Sequence, residues 1–248
     1  MRAERHPLDE ILGAVSQTVR AGSLPILVFD LDDTLFSTAP RDLRIIHEFA
    51  ADHAAAYPEF ARVAAHLSIH ELGWSAVDSL VAAGLAKDDA SIAPFTAYWK
   101  ATFFTDAYAA LDLPNRGAAD FVHRCHAEGA MVVYLTGRCL SRRGLTPGME
   151  QGTARALTTR GFPFWTGRCE LVLKQDADQA DVDFKREALA GIRALGGAVI
   201  ATFDNEPANA HMFHAALPDA MNCWLKTSWD PADSASTEGL IILTDFRH

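Results

Sequence analysis

Four short apolar runs punctuate the chain, and each stops at a polar side chain: 24–29 before Asp30, 131–135 before Thr136, 171–173 before Lys174, and 199–203 before Asp204. Runs this short, apolar except at Thr202 and rich in Val, Ile, Leu and Phe, read as strands buried on both faces, as in parallel sheets. Helical patterns lie between them near 117–128, near 149–160 and from Asp183 to about Ala194. Helices alternating with parallel strands imply a doubly wound, mostly parallel, Rossmann-like α/β core. An amphipathic helix over 8–21 precedes the first strand, a helix over 208–217 follows the fourth, and 221–225 and 240–243 add late strands.

The pattern changes from Ser37 to about Pro114. That stretch is Ala-rich, places apolar residues at helical spacing (Ile45, Ile46 and Phe49; Val63 and Leu67), and has no strand-like run. It reads as a helical insertion. The expected organisation is therefore a core over 1–36 and 115–248 and an insertion over 37–114. With 248 residues, 49% of them hydrophobic, the chain can fill a large core.

Open α/β sheets hold ligands at the carboxyl ends of their strands, which is where the polar side chains fall. In Asp30-Leu31-Asp32-Asp33-Thr34 the two carboxylates at 30 and 32 would face opposite ways on a continuing strand. The Asp33-Thr34 pair favours a turn after Asp30, so that both carboxylates serve one site. Thr136-Gly137-Arg138 offers a hydroxyl, a backbone N–H that glycine leaves accessible, and a cation, a set suited to phosphate oxygens. Lys185 opens the helix after the third run, and Asp204-Asn205-Glu206 ends the fourth.

In their order these segments resemble the four motifs of the haloacid dehalogenase-like hydrolase superfamily, over residues 24 to about 209. Its phosphatase members carry Asp-x-Asp-x-Thr, then Thr or Ser, then Lys, then an acidic metal-binding motif. The resemblance implies a phosphoric monoester hydrolase that uses Mg²⁺ and acts on a small phosphorylated metabolite. Asp30 would be the nucleophile that forms an aspartyl phosphate, and Asp32 the acid and base. Thr136, Gly137 and Lys185 would hold phosphoryl oxygens, with Arg138 also binding substrate, and Asp30, Asp32 and Asp204 would form the metal set. Lys185 matches the helix-start placement typical of the family; Lys174, at a strand end, is the alternative. Asn209 stands where many relatives carry a second acidic residue, which leaves Asn205, Glu206 or water as outer metal contacts. The insertion matches the position of the family's helical cap, with Trp74, Tyr98, Trp99, Phe103 and Phe104 as candidate lining residues. A phosphomutase and a non-catalytic phospholigand sensor or scaffold are the alternative functions.

Elementary chemistry asks for the same parts. A dianionic phosphomonoester repels a carboxylate unless a cation neutralises the site, and hard oxygen ligands around Mg²⁺ meet that need. For the first step Asp32 must carry a proton, which nearby negative charge and burial favour and the cation opposes.

Composition narrows the partners. Lys and Arg number 22 against 32 acidic residues, a net charge of −10, which argues against general attraction to nucleic acid or to membrane surfaces. The segment Arg138 to Gly148, with Arg142 and Arg143, is a second candidate contact surface. No run approaches the 18 or so apolar residues of a membrane span, and the first residues lack a secretory apolar core, so a cytoplasmic location is expected. Cys125, Cys139, Cys169 and Cys223 are scattered, which favours free thiols. Among the 10 histidines, the pairs 66/70, 123/126 and 211/214 have helical spacing but no third ligand, and are read as structural.

Overall fold

The computed structural model describes residues 6–140, 148–233 and 236–247. Helix α1 (Pro7–Arg20) begins on a proline, which has no N–H to leave unsatisfied, and buries Leu8, Ile11, Leu12 and Val15 along one face. Strand β1 (Pro25–Phe29) follows, with all five residues buried. β2 (Phe36–Ser37) leads into α2 (Ala39–His53), α3 (Pro58–Ala64), a 3-10 turn at Ile69–Glu71, α4 (Ala76–Ala82), α5 (Ile92–Phe103), α6 (Asp106–Ala109) and β3 (Leu113–Pro114). Alternation then resumes with α7 (Ala118–Ala127), β4 (Met131–Cys139), α8 (Glu150–Thr159) and β5 (Cys169–Lys174). The last elements are α9 (Asp181–Ala194), β6 (Ala198–Asp204), α10 (Pro207–Ala216), β7 (Met221–Leu225) and β8 (Ile241–Leu243). No helix among the described residues is long and apolar enough to cross a membrane.

Six strands form one parallel sheet in the order β5-β4-β1-β6-β7-β8. The chain winds outward from β1 through β4 to β5, then crosses back to lay β6 against the other side of β1. In parallel sheets, a reversal of this kind marks the carboxyl ends of β1, β4 and β6 as the place where ligands bind. Phe29, the last residue of β1, is in register with Tyr134 on one side and Phe203 on the other, and its ring stacks on Phe203 with centroids 4.5 Å apart.

Strand β4 runs further than the apolar pattern predicts. It continues past Leu135 to Cys139, and its register with β5 slips between Thr136 and Cys139. Gly137 and Arg138 therefore lie inside the strand, at an irregularity of the kind that re-aims side chains. Arg142 and Arg143 lie outside the described residues.

The chain divides into two compact units, one drawn from 1–36, 114–140 and 157–248, the other from 37–113 and 141–156. The described residues 148–156 thus join the helical unit, whereas the sequence pattern assigns them to a core over 115–248. Close backbone approach explains the difference: Gly152 N donates to Asp106 Oδ1 at 2.6 Å, and a Cβ at Gly152 would lie 2.3 Å from the Asp106 carbonyl oxygen.

The helical unit has its own core, in which Phe49 meets Phe60 and Phe95 edge-on at 4.9 and 5.4 Å. Most of the aromatics expected to line a ligand space belong to this packing. Tyr98 and Trp99 pack against the core, Phe103 is buried beneath the Arg41 guanidinium at 4.2 Å, and Trp99 Nε1 donates to the buried Asp42. Trp74 and Phe104 are exposed. Arg41 and Asp112, near the two ends of the insertion, form an ion pair with no solvent exposure.

Candidate active site

Asp30 extends the β1 ladder by one bond, from its N–H to the Phe203 carbonyl at 2.9 Å, and the chain then turns. The Leu31 carbonyl accepts from Thr34 N at 3.2 Å and Phe36 N at 2.9 Å, with Asp33 at φ 54. Aspartate tolerates this left-handed conformation better than most residues. The turn is pinned from outside. Asn115 Nδ2 donates to the carbonyls of Asp33 (3.2 Å) and Thr34 (2.8 Å), and the Thr227 hydroxyl also donates to Asp33 O.

Three separate segments meet over Asp30. Lys185 Nζ, from the second turn of α9, lies 2.8 Å from Asp30 Oδ1 and 2.7 Å from Asp204 Oδ2, and all three groups are buried. Burial pushes the Asp30 carboxyl up to about 8; Lys185 opposes this, while Asp204 and Asp32 add to it. Burial alone would lower the pKa of Lys185, but Asp204 and Asp30 outweigh it and hold the ammonium above its usual value. Lys174 is elsewhere: its Nζ contacts Gln179 O and Asp181 Oδ1, each at 2.7 Å.

Asp204, at the end of β6, is held at its second oxygen. Its Oδ1 accepts from Glu206 N at 3.0 Å and from Asn209 Nδ2 at 3.1 Å. An amide at 209 can donate to this carboxylate, as an ionised acid could not. Asn205 faces the turn after β1: its Oδ1 accepts from Thr34 Oγ1 at 3.1 Å, and Trp224 Nε1 fixes its carbonyl at 2.8 Å. The sequence assigns Thr34 to the turn after Asp30 and to its motif, but not to this contact with Asn205. Only its place as last residue of Asp-x-Asp-x-Thr could have signalled that it ties the turn to the end of β6.

Thr136 and Gly137 lie within β4, where its register with β5 slips, with the Thr136 hydroxyl 3.3 Å from Arg138 N and buried. Arg138, expected to bind substrate, is placed against Asp32. Its guanidinium is buried and donates through Nε and Nη2 to Asp32 Oδ1, with Nε at 3.1 Å. The two-residue offset that sends Asp30 to Lys185 sends Asp32 to this second cation.

The structure shows what holds each carboxylate of the expected metal set: Asp30 and Asp204 contact Lys185, and Asp32 contacts Arg138. No group of three or more His, Cys, Asp or Glu side chains suited to a metal ion occurs among the described residues, and the Asp32 carboxylate is taken by Arg138. Asp30 and Asp204 remain as hard oxygen donors. Two carboxylates share one lysine charge, and the Asp30 carboxyl is raised first by burial and then by the neighbouring Asp204, against the opposing effect of Lys185. Mg²⁺ characteristically binds through one or two carboxylates, with waters and substrate phosphate completing its shell. The pair fits that pattern.

No family model matches the sequence, and no curated protein sequence matches it. Solved structures do. A predicted phosphoglycolate phosphatase from Haemophilus somnus 129pt aligns over 90% of this chain and 95% of its own, at 15% identity and a TM-score of 0.54. Protein Tyrosine Kinase A of Mycobacterium tuberculosis aligns over 89% and 92%, at 18% identity and 0.50. A haloacid dehalogenase-like family hydrolase from Streptococcus pneumoniae aligns over 84% and 89%, at 13% identity and 0.46. The chain also spans 40% of the length of a chain in the Pnkp1/Rnl/Hen1 RNA repair complex, at a TM-score of 0.43. At these identities the likeness is one of fold alone, an α/β architecture shared with the predicted phosphoglycolate phosphatase of Haemophilus somnus.

Proposed function

We propose that this chain is a Mg²⁺-dependent phosphohydrolase that acts on a small phosphorylated metabolite through an aspartyl phosphate at Asp30. One observation carries the reading: a buried lysine joins the carboxylate after β1 to the carboxylate after β6, at the strand ends where a parallel sheet of this topology takes ligands. The net charge of −10 favours a small substrate over a polyanionic partner.

Asp30 attacks phosphorus, and the bond to the leaving oxygen breaks as that oxygen takes a proton from Asp32. Asp32 then accepts a proton from the water that splits the aspartyl phosphate, so one hard displacement becomes two easier ones. Lys185, the Thr136 hydroxyl and the Gly137 N–H stabilise charge on the phosphoryl oxygens, where one such donor contributes about 3 kcal/mol. Mg²⁺ bound by Asp30 and Asp204 would neutralise the charge that otherwise repels the Asp30 carboxylate from the phosphate. Arg138 holds Asp32 through Oδ1.

The test is hydrolysis of an aryl phosphate with Mg²⁺, with and without chelator, by wild type and Asp30→Asn. Metal-dependent release that Asp30→Asn abolishes is expected. Release that survives chelation or the substitution rejects the proposal.

A further inference from the structure

Helix α9 carries Lys185, yet nothing in its own sequence fixes where it begins. The residue before it, Ala180, has no side-chain acceptor for the first-turn N–H groups. The start is held from outside. Lys174, the last residue of β5 and almost fully buried, donates to the carbonyl of Gln179 before the helix and to Oδ1 of Asp181, the first helical residue. Its own backbone is secured by Leu140 N, which donates to Lys174 O at 2.8 Å.

The other oxygen of Asp181 rests on Gly137. A Cβ at Gly137 would lie 2.2 Å from Asp181 Oδ2, so a larger residue would displace the Asp181 carboxylate from its seat. Gly137 sits where the β4 register slips, next to Thr136. Asp181 and Lys185 stand four residues apart, one helical turn, so Asp181 carries the seating at Gly137 along to the ammonium at Asp30 and Asp204. A carboxylate in the first turn also suits the helix dipole.

We infer that Lys174 and Asp181 are positioning residues, which set Lys185 against the Thr136-Gly137 segment. The inference rests on the phosphatase reading of Lys185 given above. A displacement of about 1 Å in a group that stabilises a transition state costs about 10²-fold in rate. The clamp touches no reacting atom. It acts by holding the end of β4, the end of β5 and the start of α9 as one piece.

The experiment measures aryl phosphate turnover and thermal melting of the full chain with Mg²⁺, for wild type, Lys174→Met, Asp181→Asn, the double variant and Lys174→Arg. Each single variant should lose about 10- to 100-fold in kcat with KM within about threefold, the signature of a defect felt only in the transition state. The double variant should be no worse than the weaker single, and Lys174→Arg should restore most of the rate. Asp181 is half exposed, so Asp181→Asn carries the test if Lys174→Met does not fold. Gly137→Ala adds an independent arm: it should be slower than Asp181→Ala, and combining the two should return the rate to that of Asp181→Ala.

Singles within about twofold of wild type in kcat, or a double variant equal to the product of the singles, overturn the inference. An inactive wild type, or a fully active Lys185→Ala, sinks the phosphatase reading and takes the clamp with it. An active wild type, a dead Lys185→Ala and unaffected clamp variants sink the clamp alone.

Discussion

Asp32 receives the Arg138 guanidinium at a single oxygen, Oδ1, through both Nε and Nη2, and the arginine is fully enclosed while the aspartate is 29% exposed. Arginine therefore serves here as an oriented fork beneath the carboxylate. Lysine, a compact point charge, cannot supply the same pair of N–H groups. Arg138→Lys should cost about 1–3 kcal/mol in urea unfolding and lower kcat while leaving KM for an aryl phosphate nearly unchanged. The opposite pattern, a raised KM with kcat intact, would return Arg138 to the role of substrate contact.

Removing Lys185 leaves two buried carboxylates without their shared cation. Loss of one partner from such a set destabilises by about 3–5 kcal/mol. Lys185→Met should therefore lower the urea midpoint strongly and nearly abolish turnover. Wild-type-like activity would move the phosphate-site role to another group.

Asp30 makes stability depend on pH in a definite direction. A carboxyl whose folded pKa, raised to about 8 by burial, exceeds its unfolded value of about 3.9 binds more protons folded than unfolded between those limits. Its contribution to stability therefore falls as pH rises from about 4 to 8, by at most about 1.4 kcal/mol per unit. Asp30→Asn should flatten this fall, and Mg²⁺ should raise the melting temperature of wild type more at pH 8 than at pH 5. Parallel pH profiles for the two proteins would contradict the assignment.

Asn209 donates to Asp204 and is buried. Asn209→Asp removes that donor and adds a like charge beside it. Without metal the variant should lose about 1–3 kcal/mol; with Mg²⁺ it should bind the ion roughly tenfold more tightly, because affinity follows ligand charge. Calorimetric titration with Mg²⁺ decides, and unchanged affinity would remove Asp204 from the proposed ligand pair.

In the helical unit, Arg41 and Asp112 pair without solvent contact. Arg41→Met alone should cost about 3–5 kcal/mol, and Arg41→Met with Asp112→Leu should recover much of it. Additive losses in chemical denaturation would show that the pair is not coupled.

The strands were legible because a buried parallel strand writes its signature locally: β1, β5, β6 and β7 lie within a residue or two of the apolar runs. Asp30 and Asp204 were legible too, because each stands at a strand end that the pattern marks, and Lys185 because it lies near the start of a helix. What escaped is set by pairing over long stretches of chain. No local pattern tells that Arg138 will be buried under Asp32, 106 residues away, or that Lys174 will turn to α9. The slip in β4 register was hidden because Thr, Gly and Arg break the apolar run while the backbone ladder continues. The aromatics of the insertion look the same in sequence whether they face a ligand or one another.

The placement of β6 has a consequence for synthesis. Among the described residues it is the strand that flanks β1 on its second side, and Asp30 lies 155 residues before Lys185. Until that late segment leaves the ribosome, β1 presents an unpaired apolar margin, the kind of surface on which nascent chains stick to one another. Chains halted before residue 204 should therefore depend on chaperones, and they would lack the carboxylate that completes the centre.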